Sequence, residues 1–260
     1  MKKIFFILLL SIVNLMAVEQ IQLKYEATLS VLGKIGEAQL KVSRSGSRYE
    51  VTLAAKATGL AAVISSHEED LLISRGSMID GRMVCELYEQ QKRSDKRTEL
   101  IRYTVNNKQQ TVHKYREKNE TVSASVLDVF TMSFAQESRN VISIEEETMD
   151  YYSDYDPISA LVSLHLFIET HNPFFIRAVG AVKEDVDVIM THPTAQQKEE
   201  WVHLIKGKKF DQVLLVKIIN HKKEKEHAAL VFLDDAGMII EIIGTKWVFP
   251  VGHGILRRIE

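Results

Sequence analysis

Gln20 to Ser66 reads QIQLKYEATLSVLGKIGEAQLKVSRSGSRYEVTLAAKATGLAAVISS, and its pattern decides the fold class. Leu23, Tyr25, Ala27, Leu29 and Val31 alternate with Gln22, Lys24, Glu26, Thr28 and Ser30. A period of two places the apolar side chains on one face of a strand and the polar ones on the other. After Gly33 and Gly36 the alternation resumes through Ala38, Leu40 and Val42, and after Ser45-Gly46-Ser47 through Tyr49, Val51, Leu53 and Ala55. Three alternating runs joined by short glycine-bearing turns predict an antiparallel meander. Gly59 to Ile64, small and apolar, is expected to be a helical turn over a sheet edge or a flap.

Outward from this stretch the strand pattern continues. Asp70 to Ile79 reads as a strand with Leu71 and Ile73 inside and a break near Gly76; Asp80-Gly81 is a hairpin signal, and Met83, Cys85 and Leu87 alternate beyond it. Gln90 to Arg97 reads as a charged connector, and Leu100–Val105 and Thr111–Tyr115 flank the turn pair Asn106-Asn107. Ser125 to Ala135 is apolar without a clean period, so helix and strand both stay open. Asp156 is placed to cap a helix, Pro157 suits its first position, and a helix is predicted over about 157–170. Ile158, Leu161, Val162, His165 and Ile168 form one face, widened by Ala160, Leu164 and Phe167, so this helix should be buried on several sides. Val186–Met190, Val213–Ile219, and Ala228–Leu233 with Met238–Ile243 across Asp234–Gly237 read as further strands; Gln196–Ile205 is ambiguous. All four prolines fall at or after Pro157, leaving the first half free for uninterrupted strands. The predicted fold is mainly β, a curved antiparallel sheet or half-barrel with one buried central helix.

The first 17 residues, with Lys2 and Lys3 ahead of the apolar run Ile4–Val13 and the small Ala17, have the layout of a signal peptide. The expectation is export to the periplasm and a single β-rich domain over 18–260, with no transmembrane span in the mature chain. Removing Lys2 and Lys3 from the 33 basic residues leaves 31 against 35 acidic, a net charge of −4 that argues against a nucleic-acid partner. Cys85 is the sole cysteine, so no intramolecular disulfide forms, and its apolar neighbours point to inert burial.

No motif names a chemistry. The nine histidines show no metal-ligand spacing, no nucleophile elbow or phosphate loop occurs, and Gly33 and Gly36 belong to a hairpin. Asp150, Asp154 and Asp156 resemble a calcium loop too loosely to replace a solvated acidic loop. The expectation is no catalytic residue, metal or cofactor. Glu117-Lys118-Asn119-Glu120-Thr121 matches an extended bacterial glycosylation acceptor, with Asn119 expected on an exposed turn in a host that has the transferase. A concave sheet could hold an apolar or lipid ligand against Tyr25, Leu29, Leu53, Leu161 and His165, whose plainer reading is ordinary core. The alternative is an interaction module that docks an envelope protein through a sheet edge or the acidic Tyr151–Asp156 loop; an enzyme is the least favoured reading.

Tyr25, Gly33-x-x-Gly36, Ala57-Thr58-Gly59-Leu60, Asp156-Pro157-x-Ser159 and the hairpin Leu233–Ile240 together resemble an uncharacterised family of bacterial exported proteins, domain of unknown function three-one-zero-eight. The resemblance implies an exported β-rich protein similar to the half-barrels that carry lipoproteins or sense lipids in the periplasm. It brings no activity, cofactor or catalytic residue with it.

Overall fold

The computed structural model describes residues 19–128, 133–166, 173–180, 186–220, 225–246 and 254–259; the leader and Ile168 lie outside them. The opening stretch folds as β1 (Glu19–Leu29), β2 (Gly33–Ser45) and β3 (Arg48–Ala57), followed by the short helix α1 (Gly59–Ile64). The meander continues through β4 (Glu69–Ile79), β5 (Arg82–Ser94), β6 (Arg97–Asn106), β7 (Thr111–Asp128) and β8 (Ser133–Thr148). The helix expected over about 157–170 is α2 (Pro157–Val162), which ends at the Ser163 cap before a further helical turn over 164–166, and positions 167–170 lie outside the described residues. A second set follows: β9 (Phe174–Ile176), β10 (Val186–Thr191), helices α3 (Ala195–Glu200) and α4 (Val202–Ile205), then β11 (Gln212–Asn220), β12 (Lys225–Leu233), β13 (Ile239–Lys246) and β14 (Gly254–Arg258).

These strands form one open antiparallel sheet in the order β8-β7-β6-β5-β4-β3-β2-β1-β14-β13-β12-β11-β10-β9. Two meanders are therefore joined edge to edge by β1 and β14, with Tyr25 opposite Arg258 and Leu29 opposite Gly254. The link from β8 to β9 leads from one outer edge to the other, and its α2 region lies across one sheet face. Asp156 contacts Ser74 in β4, while nine residues later His165 packs on Gly237 in the β12–β13 turn, where an added Cβ would fall 2.4 Å from the ring. Those two places are five strand spacings apart in the sheet order, about 24 Å if flat, against about 14 Å for nine helical residues. The sheet must bend around the helix for both contacts to exist. Tyr25 makes the same demand, because its hydroxyl on β1 donates to the Ile239 carbonyl on β13 at 3.0 Å.

The bent face is filled. Tyr25, Leu40, Val42, Tyr49, Val51, Met83, Cys85, Tyr88 and Tyr103 pack with Ile158, Val162, Leu164 and Val179 in a continuous core, which Leu214, Val231 and Leu233 extend under the second meander. On the opposite face of that second meander, Val213, Leu215, Leu230, Phe232 and Ile243 pack under Trp201, Leu204 and Phe210. The near-continuous apolar run of β11 thus reflects burial on both faces.

Several sequence expectations need correction. The inward residues of β4 are Leu72 and Ser74, not Leu71 and Ile73, because pairing sets Leu53 opposite Leu72 and Val51 opposite Ser74. The strand does not break at Gly76. A bulge there pairs Arg75 with Leu87 and Gly76 with Cys85, so Glu86 is skipped and the inward phase moves from Met83 and Cys85 to Tyr88, leaving Leu87 outside the core. Gln90–Arg97 is not a connector: β5 runs to Ser94 and β6 starts at Arg97, since alternating charged residues suit paired strands with a solvated face. Ser125–Asp128 and Ser133–Ala135, left open by the sequence, are strand. Asp80-Gly81 does form its turn, with φ of 50° and 78°.

Candidate functional site

The helix cap and its partners form the most connected polar cluster of the interior. Asp156 caps α2 by accepting from the Ile158 and Ser159 amides at 3.0 Å each, and Ser159 returns the bond to the Asp156 amide. Pro157 follows at the first helical position, as the sequence predicts. The second carboxylate oxygen accepts from the Ser74 hydroxyl at 2.5 Å, and Ser74 shares a 3.0 Å hydrogen bond with the Tyr49 hydroxyl. The Cys85 thiol donates to the same carboxylate, and its amide bonds the Asp154 carbonyl at 2.7 Å. Asp156, Ser74 and Ser159 are completely buried. Burial raises the Asp156 carboxyl above its usual range, against the pull of the Ser74 and Ser159 donors. The Cys85 thiol is pushed up by burial and then by the Asp156 charge. A serine beside a carboxylate invites nucleophile chemistry, but among the described residues no histidine is bonded to them, and both are without solvent exposure. The cluster locks α2 to β3, β4 and β5.

The solvated acidic loop expected at Tyr151–Asp156 is therefore a packed strap. Tyr152 donates to Asn107, which in turn donates to the Cys85 carbonyl; Tyr155 accepts from Arg82; Ser153 is buried. Val179 and Gly180 close over the far side, where a Cβ on Gly180 would fall within 2.9 Å of both Tyr88 and Tyr103. The loop is held in one arrangement at each of these points.

Tyr25, Leu53 and Leu161 belong to or pack against the core; His165 seats on Gly237; and Leu29, half-buried, lies at the far end of β1. Of the five, Tyr25 borders the groove described next, and Leu29, Leu53, Leu161 and His165 do not. Asn119 lies inside β7, paired with Thr98 on one side and Ile142 on the other, so it is not on the expected turn. Pairing on both sides holds its backbone in the sheet. Among the described residues no group of three or more His, Cys, Asp or Glu side chains comes together, and no helix is long and apolar enough to cross a membrane.

The open concavity lies elsewhere. A groove of about 610 Å³ crosses β1 to β5 and is lined by Lys24, Gln39, Ala54, Leu71, Gln91 and their neighbours. Register places Lys24, Gln39, Ala54, Leu71 and Gln91 opposite one another in a single transverse row. Glu37, Lys56, Glu69 and Arg93 form the next row on the same face. Alternation puts both rows on the face opposite Tyr25, Leu40 and Leu53, away from α2. Ala54 and Leu71 give the groove an apolar floor, and Ile259 closes one end through its amide bond to the Lys24 carbonyl at 2.8 Å.

Glu37 and Lys56 of this wall are ion-paired, and Lys34 beside them joins the pair. Lys34 bonds Glu37 at 2.7 Å and Glu26 at 2.9 Å, and Lys56 bonds Glu37 at 3.2 Å. Glu37 is held below the usual carboxylate range by Lys34 and then Lys56, and Lys34 is raised by Glu37 and then Glu26. Asp70, also in the lining, is raised above the usual carboxylate range by burial, against the pull of Lys92.

Pattern reasoning missed these residues because a polar outward row reads as solvated surface. The available signal was the broken alternation at Ala54-Ala55 and Leu71-Leu72, where consecutive apolar residues put one member on the outer face. No family model, curated protein or solved structure matches the chain.

Proposed function

We propose that this chain is a non-enzymatic protein of the cell envelope that holds one acyl-chain-bearing ligand in the outer groove across β1–β5. The observation that carries this reading is the groove itself, about 610 Å³ with Ala54 and Leu71 at its floor and paired charges on its walls. That volume falls within the range of small-ligand sites. Each methylene buried on the floor contributes about 0.8 kcal/mol, and the Lys56–Glu37 wall suits a polar headgroup. The exported character expected from the leader and the resemblance to periplasmic half-barrel proteins favour a lipid source. The inner face is packed by the core and the strap.

A fluorescent fatty acid titrated into the mature protein tests the reading. Ala54→Trp fills the floor and Leu71→Asp charges it; both should weaken binding by roughly tenfold or more, about 1.4 kcal/mol. Absence of probe binding to the wild-type protein, or unchanged affinity in both variants, refutes it.

A second reading has its own observation. β8 is an open edge strand on which Ile142 and Ile144 are 62% and 60% exposed. An exposed edge of this kind can take an added strand from an envelope protein partner.

A further inference from the structure

The end of the sheet next to the groove carries an unusual amount of bare aliphatic surface. Helix α1 exposes Leu60 by 66%, Val63 by 69% and Ile64 by 80%, and none of its six residues is buried. The β1–β2 turn adds Val31 at 69% and Leu32 at 41%. The two are held together: the Thr58 amide donates to the Ile35 carbonyl at 2.9 Å, and a Cβ on Gly59 would sit 3.4 Å from the Lys34 carbonyl oxygen. α1 begins three residues after Lys56 of the groove wall, so the tip stands at the groove's margin.

We propose that this tip docks the protein on a lipid bilayer by inserting Leu60, Val63 and Ile64, with Val31 and Leu32 beside them. The proposal deepens the acyl-ligand reading by naming the surface from which the ligand is taken. It rests on that reading only for this purpose, because the docking stands on the tip alone.

Area and charge select the bilayer over a protein. The five side chains expose roughly 500–600 Å², the size of a large functional patch, but short of the roughly 800 Å² per partner of a stable protein interface. Insertion into the headgroup boundary needs protruding apolar side chains and some depth, not a broad complementary surface. α1 itself carries no charge, Lys34 is paired with Glu26 and Glu37, and the Asp95 carboxylate is hydrogen-bonded to the His67 ring at 2.9 Å. Such a tip has little charge to offer an anionic partner, so its attachment should depend on apolar insertion and hardly on salt.

Flotation of the full mature protein with phosphatidylcholine vesicles, at low and at high salt, is the test. The wild-type protein should float at both. Leu60→Asp, and the double variant Val63→Asp with Ile64→Asp, should lose vesicle affinity by roughly tenfold or more for each charge placed at the interface. These side chains are exposed, so the circular dichroism of the variants should match wild type. Ile142→Asp, at an equally exposed position on β8, should float normally. The tip variants should still bind the fatty-acid probe and the groove variant Ala54→Trp should still float, so failure of the groove and failure of the tip are told apart. The proposal is overturned if the wild-type protein does not float, or if the tip variants float as well as it does. Binding only to phosphatidylglycerol-rich vesicles and only at low salt also overturns it. Self-association that the tip variants abolish, without vesicle binding, overturns it in favour of a second copy of the chain.

Discussion

Replacing Asp156 with alanine probes the interior most directly. The substitution removes the acceptor of two α2 amides, of the Ser74 hydroxyl and of the Cys85 thiol in a site without solvent. Loss of an N-cap costs about 1 kcal/mol, and each buried donor left unpaired adds about 1–3 kcal/mol. Ser74 keeps its partner Tyr49, so the two amides dominate, and the total should be about 3–5 kcal/mol. In a protein of this size that lowers Tm by about 6–20 °C. Asp156→Asn should cost much less, because its carbonyl oxygen still caps the helix and Ser74 can turn to accept from the amide. The pH dependence separates the two variants further. Asp156 has a folded pKa above its unfolded value near 3.8, so its carboxyl favours the folded state most when protonated. Its contribution is full below the unfolded value and is lost as pH rises through the folded one. The wild-type protein should therefore lose stability relative to Asp156→Asn as pH increases through that window. Thermal melts of the three proteins across acidic to neutral pH measure this. A cost below about 1 kcal/mol for the alanine variant, or identical pH slopes for wild type and Asp156→Asn, would refute the assignment of Asp156 as the lock of the strap.

Gly76→Ala should destabilise by about 3 kcal/mol or more, because its Cβ would lie 1.9 Å from the Val84 carbonyl oxygen and 2.9 Å from the Tyr49 ring; a denaturation midpoint equal to wild type would remove the bulge argument. Burial lifts the phenols of Tyr25 and Tyr103 to about 12. An ultraviolet titration should show them ionising well above the ordinary phenol value of 10, and stability should be intact below pH 10 and lost as pH rises through about 12. Tyrosines ionising together near 10 would contradict their packing.

What the sequence by itself determined was local. The phase of β1 as far as Leu29 (Val31, read as its next inward residue, is instead exposed in the following turn), the phases of β2 and β3, the turn at Asp80-Gly81 and the cap at Asp156-Pro157 are each written in a few neighbouring residues. Periodicity and capping are properties of adjacent positions, so pattern reasoning reaches them. The tertiary structure decided what depends on partners distant in the chain. Leu72 rather than Leu71 faces the core because β3 sets the register of β4, and Tyr88 replaces Leu87 because Gly76 admits a bulge. The inner face that alternation offered as a ligand cavity is closed by the strap through Asp156, which reaches across 82 positions to Ser74. The groove arises only when Lys24, Gln39, Ala54, Leu71 and Gln91 are aligned by four separate pairings. A single strand's alternation tells which side chains share a face; which face is covered, and by what, is settled only when the whole sheet bends around its helix.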